Sequence, residues 1–174
     1  MPYPALFNAK KALARFPGWS EPEPETDYIW FNAPIEIAGV VETSFVLHGG
    51  CIRTVPDRNV TFELRCSAPS KKRTMPIARI EWRSLQGGHS NRRRKGSAAS
   101  GKRVSETHHH SFDLNWIESE RRMRSGNLPQ AEEIDQEIQS FESLLDCVGK
   151  LFRINNMRIV TCPPWAYDLF NNGR

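Results

Sequence analysis

The chain is poor in the features that most often identify a protein class. No apolar run approaches the roughly 18 residues that a membrane helix needs. Cysteine is scarce and dispersed: Cys51, Cys66, Cys147 and Cys162 form no C-x-x-C pair, which argues against a cysteine-ligated zinc ribbon and against a disulfide framework. Cys66, in an alternating pattern, and Cys147, in a helical one, read as small core residues. There is no P-loop, no dinucleotide-binding glycine fingerprint, no G-x-S-x-G elbow and no H-E-x-x-H pair, so NTP hydrolysis, hydride transfer, serine-esterase and zincin chemistry are poor readings. The opening Met1-Pro-Tyr-Pro-Ala-Leu-Phe7 lacks the charged start, apolar centre and small-residue cleavage site of a secretory signal. The expectation is a cytoplasmic protein that does not enter a membrane.

What is present suits one ordinary core. The 174 residues are 39% hydrophobic, enough for one domain and short for two. Residues 1–27 carry five prolines and the run Glu21-Pro-Glu-Pro-Glu25, and read as a proline-rich acidic arm with a short helix at 8–16. Residues 28–174 read as a single α+β domain with a flexible basic loop at about 86–105. From Tyr28 the apolar period is two: Ile35 and Ile37, Val40 to His48, then Val60, Phe62, Leu64 and Cys66, then Ala78, Ile80 and Trp82. Short turns separate these runs, so an antiparallel β-meander is predicted. In the second half Ile134, Ile138, Phe141, Leu145 and Val148 recur at helical spacing, which predicts a long C-terminal helix over 130–149 packed on the sheet. A final strand is expected within 151–160, and a short helix within 115–124.

Charge is strongly segregated. From Lys71 to Arg103 there are eleven Lys/Arg against the single acid Glu81, a local net charge of +10 in a chain whose total is +4. Within this segment Arg92, Arg93, Arg94, Lys95, Lys102 and Arg103 form a cation cluster suited to polyanions, since clustered Lys/Arg release counterions from phosphates. The alternative is a solvated loop that only maintains solubility.

Four of the five histidines flank this loop. His89 sits in Gly87-Gly-His-Ser-Asn91, and His108-His109-His110 follow the loop. On a strand, Glu106, His108, His110 and Phe112 share one face and His109 the other, which predicts shielded His108 and His110 and a solvated His109. Three readings stand side by side. A divalent transition metal can sit between His108 and His110, with His89 or Glu106 as a third ligand. Metal-free acid/base catalysis can use His89, Asn91, His108 and His110, with Arg or Lys stabilising a phosphorane. Or the imidazoles satisfy backbone and carboxylate groups and nothing reacts.

The residues His89-Ser-Asn91 and His108-His-His110, followed by the predicted helix, resemble small proteins of bacterial mobile elements and toxin–antitoxin cassettes that carry an H-x-N turn and an H-x-H pair. That resemblance implies a toxin-like or nucleic-acid-directed role with the histidines at its site. The expectation is therefore a nucleic-acid-interacting protein, RNA favoured, because aromatic and cationic surfaces suit single strands. As an enzyme it would be a histidine-dependent nuclease or phosphodiesterase. The alternative is a non-catalytic interaction module, inhibitor-like or antitoxin-like, that uses the basic loop on an acidic protein. An uncovered strand edge would permit a homodimer.

Overall fold

The computed structural model describes residues 3–67, 74–93 and 95–167. Arg94 of the cation cluster, with Lys71, Lys72 and Arg73, lies outside them. In chain order the elements are α1 (Tyr3–Asn8), β1 (Lys11–Leu13), β2 (Tyr28–Ile37), β3 (Val40–Ile52), β4 (Val60–Ser67), β5 (Thr74–Trp82), β6 (His108–His110), α2 (Phe112–Asn115), β7 (Trp116–Ile117), β8 (Arg122–Met123), β9 (Glu132–Glu133) and α3 (Phe141–Phe152). Seven strands form one antiparallel sheet in the order β1-β2-β3-β4-β5-β6-β9, and β7 and β8 form a separate small hairpin. The α+β class with a meander is the observed architecture. Among the described residues no helix is long and apolar enough to cross a membrane.

The alternation that predicted the strands also fixes the faces. Ile29, Phe31, Ala33 and Ile35 of β2, Phe45 and Leu47 of β3, Phe62 and Leu64 of β4, and Ala78, Ile80 and Trp82 of β5 are buried in one core. Over it lies α3, through Phe141, Leu144, Leu145, Val148 and Phe152. Trp82 has no exposed surface, and its indole N–H donates to the Ile138 carbonyl at 3.1 Å. The N-terminal segment is built into the same core: Leu6, Phe7 and Leu13 are buried, and Phe7 stacks on Phe112 at 4.8 Å. Cys51, Cys66 and Cys147 are buried free thiols, and Cys162 is an exposed one.

The predicted long helix is corrected. Only 12 residues are helical, starting after Ser140, whose side chain and Ser143 satisfy each other's backbone N–H groups in a capping box. Residues 132–133 are strand β9, paired with His108 and His109. The apolar positions 134 and 138 still face inward, but from a loop, and the sheet's need for a partner beside β6 outweighs helical periodicity there. The segment after α3 holds a 3-10 turn at Met157–Ile159 in place of a strand, and 115–124 holds the β7–β8 hairpin in place of a helix.

The second sheet face is unusual. Asn32, His48, Glu63, Arg79 and His110 stand directly opposite one another on β2, β3, β4, β5 and β6. This polar row crosses five strands and ends at the histidines.

Candidate metal centre

Strand register brings the site together. Residues two apart on a strand share a face, so Arg79 and Glu81 of β5 lie beside His110 and His108 of β6, their direct cross-strand partners. The Nε2 atoms of His108 and His110 face each other at 3.2 Å. The Glu81 carboxylate lies alongside, Oε2 3.8 Å from His108 Nε2 and Oε1 3.7 Å from His110 Nε2. Both imidazoles are 2% exposed. These three residues are the group of His, Cys and acidic side chains, among the described residues, with ligand atoms close enough to share one ion.

The His108 tautomer places an electron pair at the centre. His108 Nδ1 donates to the Ser105 carbonyl at 2.8 Å, which leaves Nε2 as a lone pair, the arrangement typical of a metal-ligating imidazole. His110 Nδ1 is buried without a hydrogen bond of good geometry, although the Leu128 carbonyl faces the ring closely enough to favour its protonated form. Burial first, then Arg79 and the neighbouring histidines, pushes His110 down to about 2, and burial likewise lowers His108. Neither ring is an imidazolium near neutrality. That suits ligation, which needs neutral rings.

Spacing fits as well. With metal–nitrogen bonds of ~2.0–2.1 Å, donors on a tetrahedron are roughly 3.3–3.4 Å apart, so the observed separations need adjustments of a few tenths of an ångström. Two imidazoles and a carboxylate suit zinc or ferrous iron, with positions left for water or substrate.

Loops roof the centre. Gly88 must be glycine, because a Cβ there would lie 2.0 Å from the Val104 carbonyl oxygen. The backbone ladder His89 N to Val104 O, Val104 N to His89 O and Asn91 N to Lys102 O closes the base of the basic flap. His89 is thereby placed beside the pair, its ring centroid 4.9 Å from that of His110 and 5.9 Å from that of His108. Its Nε2 meets the Pro129 carbonyl at 3.1 Å. Opposite, Gly126, Asn127 and Leu128 all have positive φ, at 102°, 55° and 60°. Such a run costs on the order of 1–3 kcal/mol per non-glycine residue, and it is held in place by neighbours. Asn115 donates to Ser111 and Gln130 carbonyls and accepts from Gln130 N–H, and Asn91 both donates to the Ala131 carbonyl and accepts from its N–H. Together these walls enclose a cavity of about 200 Å³ lined by Arg79, Glu81, His89, His108 and His110.

Of the residues expected at the site, His89, His108 and His110 come together. Asn91 is 5% exposed and spent on the Ala131 backbone, so it serves the scaffold. Glu106 lies apart, 3.7 Å from Arg58. His109 corrects the expectation of a solvated ring: it is 5% exposed and lies against Phe152 at 6.0 Å, because α3 covers that face of β6. Sequence reasoning missed Glu81 as a ligand. The signal was there, since Glu81 is the single acid in the basic segment and lies on the outer face of its strand, but only the β5–β6 register ties it to the histidines.

The cations Arg92, Arg93, Lys95, Lys102 and Arg103 are exposed, and none makes an ion pair among the described residues. Lys102 and Arg103 also border a larger cleft of about 670 Å³ on the far side of β6, with Lys150, Glu132, Glu133 and Asp135. Its charges are mixed, and the candidate metal ligands lie outside it. Comparison with protein-family models, with curated proteins and with solved structures finds no match.

Proposed function

We propose that the protein is a metal-dependent phosphodiester hydrolase directed at single-stranded nucleic acid, RNA in first place, with a divalent transition metal held by Glu81, His108 and His110. The observation that carries this reading is the pair of buried Nε2 atoms 3.2 Å apart with a carboxylate beside them. Two lone pairs at that distance repel unless a cation or proton lies between them. A bound metal lowers the pKa of its water and supplies hydroxide near neutrality. Hydrolysis would form a bond from water oxygen to phosphorus and break the bond to the leaving ribose oxygen. His89, whose Nε2–H donates to the Pro129 carbonyl and whose Nδ1 is thereby left as acceptor, would take the water's proton and return it to the leaving oxygen. The exposed flap cations hold the polyanion by counterion release.

The test is elemental metal content of untagged protein purified without chelator, with cleavage of single-stranded RNA measured on the same samples. The wild type is expected to carry near-stoichiometric metal and to cleave, and H108A/H110A to have lost both while still binding RNA. Undiminished cleavage in the double variant, or wild-type protein that neither takes up zinc, manganese or ferrous iron nor cleaves, overturns the reading.

A further inference from the structure

Among the described residues Arg79 is the one Lys or Arg that lines the cavity beside the candidate ligands, and it is fixed in place. Its Nε donates to Glu63 Oε1 at 2.6 Å and its Nη1 reaches Glu81 Oε1 at 3.4 Å. Glu63 is itself buried, and its other oxygen takes Arg65 Nε at 2.6 Å. Burial alone would raise the Glu63 carboxyl; Arg79 and Arg65 together outweigh it and hold it ionised. Among the described residues, Nη2 of Arg79 enters no hydrogen bond or ion pair.

Charge bookkeeping at this end of the polar row then points to a ligand class. Glu63 accepts from both Arg79 and Arg65, and Arg79 also reaches Glu81, so two carboxylates are matched by two guanidiniums before any metal is counted, and a divalent ion would add positive charge beside Arg79. Such added charge, next to a guanidinium whose Nη2 is unpartnered among the described residues, favours an anionic group in the cavity. The cavity of about 200 Å³ is open on one side, with room at its floor for one anionic group of a larger ligand. A planar guanidinium beside a metal with open positions matches a tetrahedral oxyanion with several acceptor oxygens.

Resting on the metal-centre reading above, we infer that the cavity binds one phosphoryl group, with Arg79 gripping the oxygens that the metal does not and Glu63 as the positioning residue that aims the guanidinium. A terminal phosphate and a diester linkage present the same oxygens, and the experiment separates them.

Zinc-loaded wild-type protein is titrated calorimetrically with inorganic phosphate, with dithymidine monophosphate and with acetate, alongside R79K and the paired E63Q/R79Q variant. The paired variant removes the Glu63 carboxylate together with its Arg79 partner, and its urea midpoint and zinc content are measured beside its affinity so that misfolding is recognised. Both variants are expected to keep zinc at wild-type stoichiometry. Phosphate or dinucleotide affinity should fall roughly ten- to hundredfold in E63Q/R79Q, the size of a lost charge-assisted contact, and less in R79K, which keeps the charge without the fork. Binding of the dinucleotide identifies the diester as the occupant; binding of inorganic phosphate alone identifies a terminal phosphate. Unchanged affinity in zinc-loaded E63Q/R79Q, or acetate bound as tightly as phosphate, overturns the inference and leaves the metal centre standing. Failure of the wild type to bind zinc overturns both.

Discussion

His48 shows how far a single side chain can be committed to its neutral form. Its Nδ1 donates to Asn32 Oδ1 at 2.9 Å, its Nε2 meets the Tyr28 hydroxyl at 3.3 Å, and Trp30 stacks beside the ring at 6.2 Å. Burial, reinforced by Arg65 and opposed by Glu63, holds it down at about 4. An unfolded histidine binds its proton near pH 6.5, so between those values the unfolded chain holds more protons than the native one and stability rises with pH. The contribution is fully present above about pH 6.5 and is lost as pH falls toward 4, by up to roughly 3 kcal/mol at 1.36 kcal/mol per unit. Urea midpoints measured from pH 7 to pH 4.5 should fall steeply in the wild type and less steeply in His48→Gln. An identical slope in both would remove His48 from the account. His109, held low by its own burial, adds to the slope that remains.

Among elements, α3 and β9 show what the sequence conveys and what it does not. The capping box of Ser140 and Ser143 predicts that Ser140→Ala costs about 1 kcal/mol in urea unfolding, with the loss confined to the start of α3. A cost near zero would mean that packing of Phe141 and Leu144 alone fixes the helix start. Strands β2 to β5 were legible because one face is apolar and period two is then imposed residue by residue. The stretch 130–140 was not, because the inward-facing Ile134 and Ile138 fit a helix equally well and nothing local reveals that Glu132 and Glu133 pair with His108 and His109. The site shares that limit. Both candidate imidazole ligands were visible as an H-x-H pair, whereas Glu81 and Arg79 join them only by pairing with residues 27 and 31 positions further along the chain. Likewise Asn91, read as catalytic, is bound to Ala131, a contact 40 residues distant.

For the whole molecule, the five exposed flap cations among the described residues set an expected salt dependence. A single-stranded polyanion that engages all five should show a slope of about −3.5 in log affinity against log salt, at ~0.7 per phosphate contact. Replacing Arg92, Arg93 and Lys95 with serine should bring that slope to about −1.4 without changing metal content, as measured by fluorescence anisotropy on single-stranded RNA across a salt series. A slope indifferent to these substitutions would move the polyanion surface away from the flap.

The strands lie across the sheet in the order in which they occur along the chain. Each hairpin from β2 to β5 can close locally, the arrangement that favours rapid folding. The histidine strand joins an edge already laid down, and it is bounded only when residues 132–133 arrive beyond it. The end of the domain that carries the candidate metal site is thus closed by a strand of only two residues, and local opening at that edge would admit or release an ion while the strands before it stay paired.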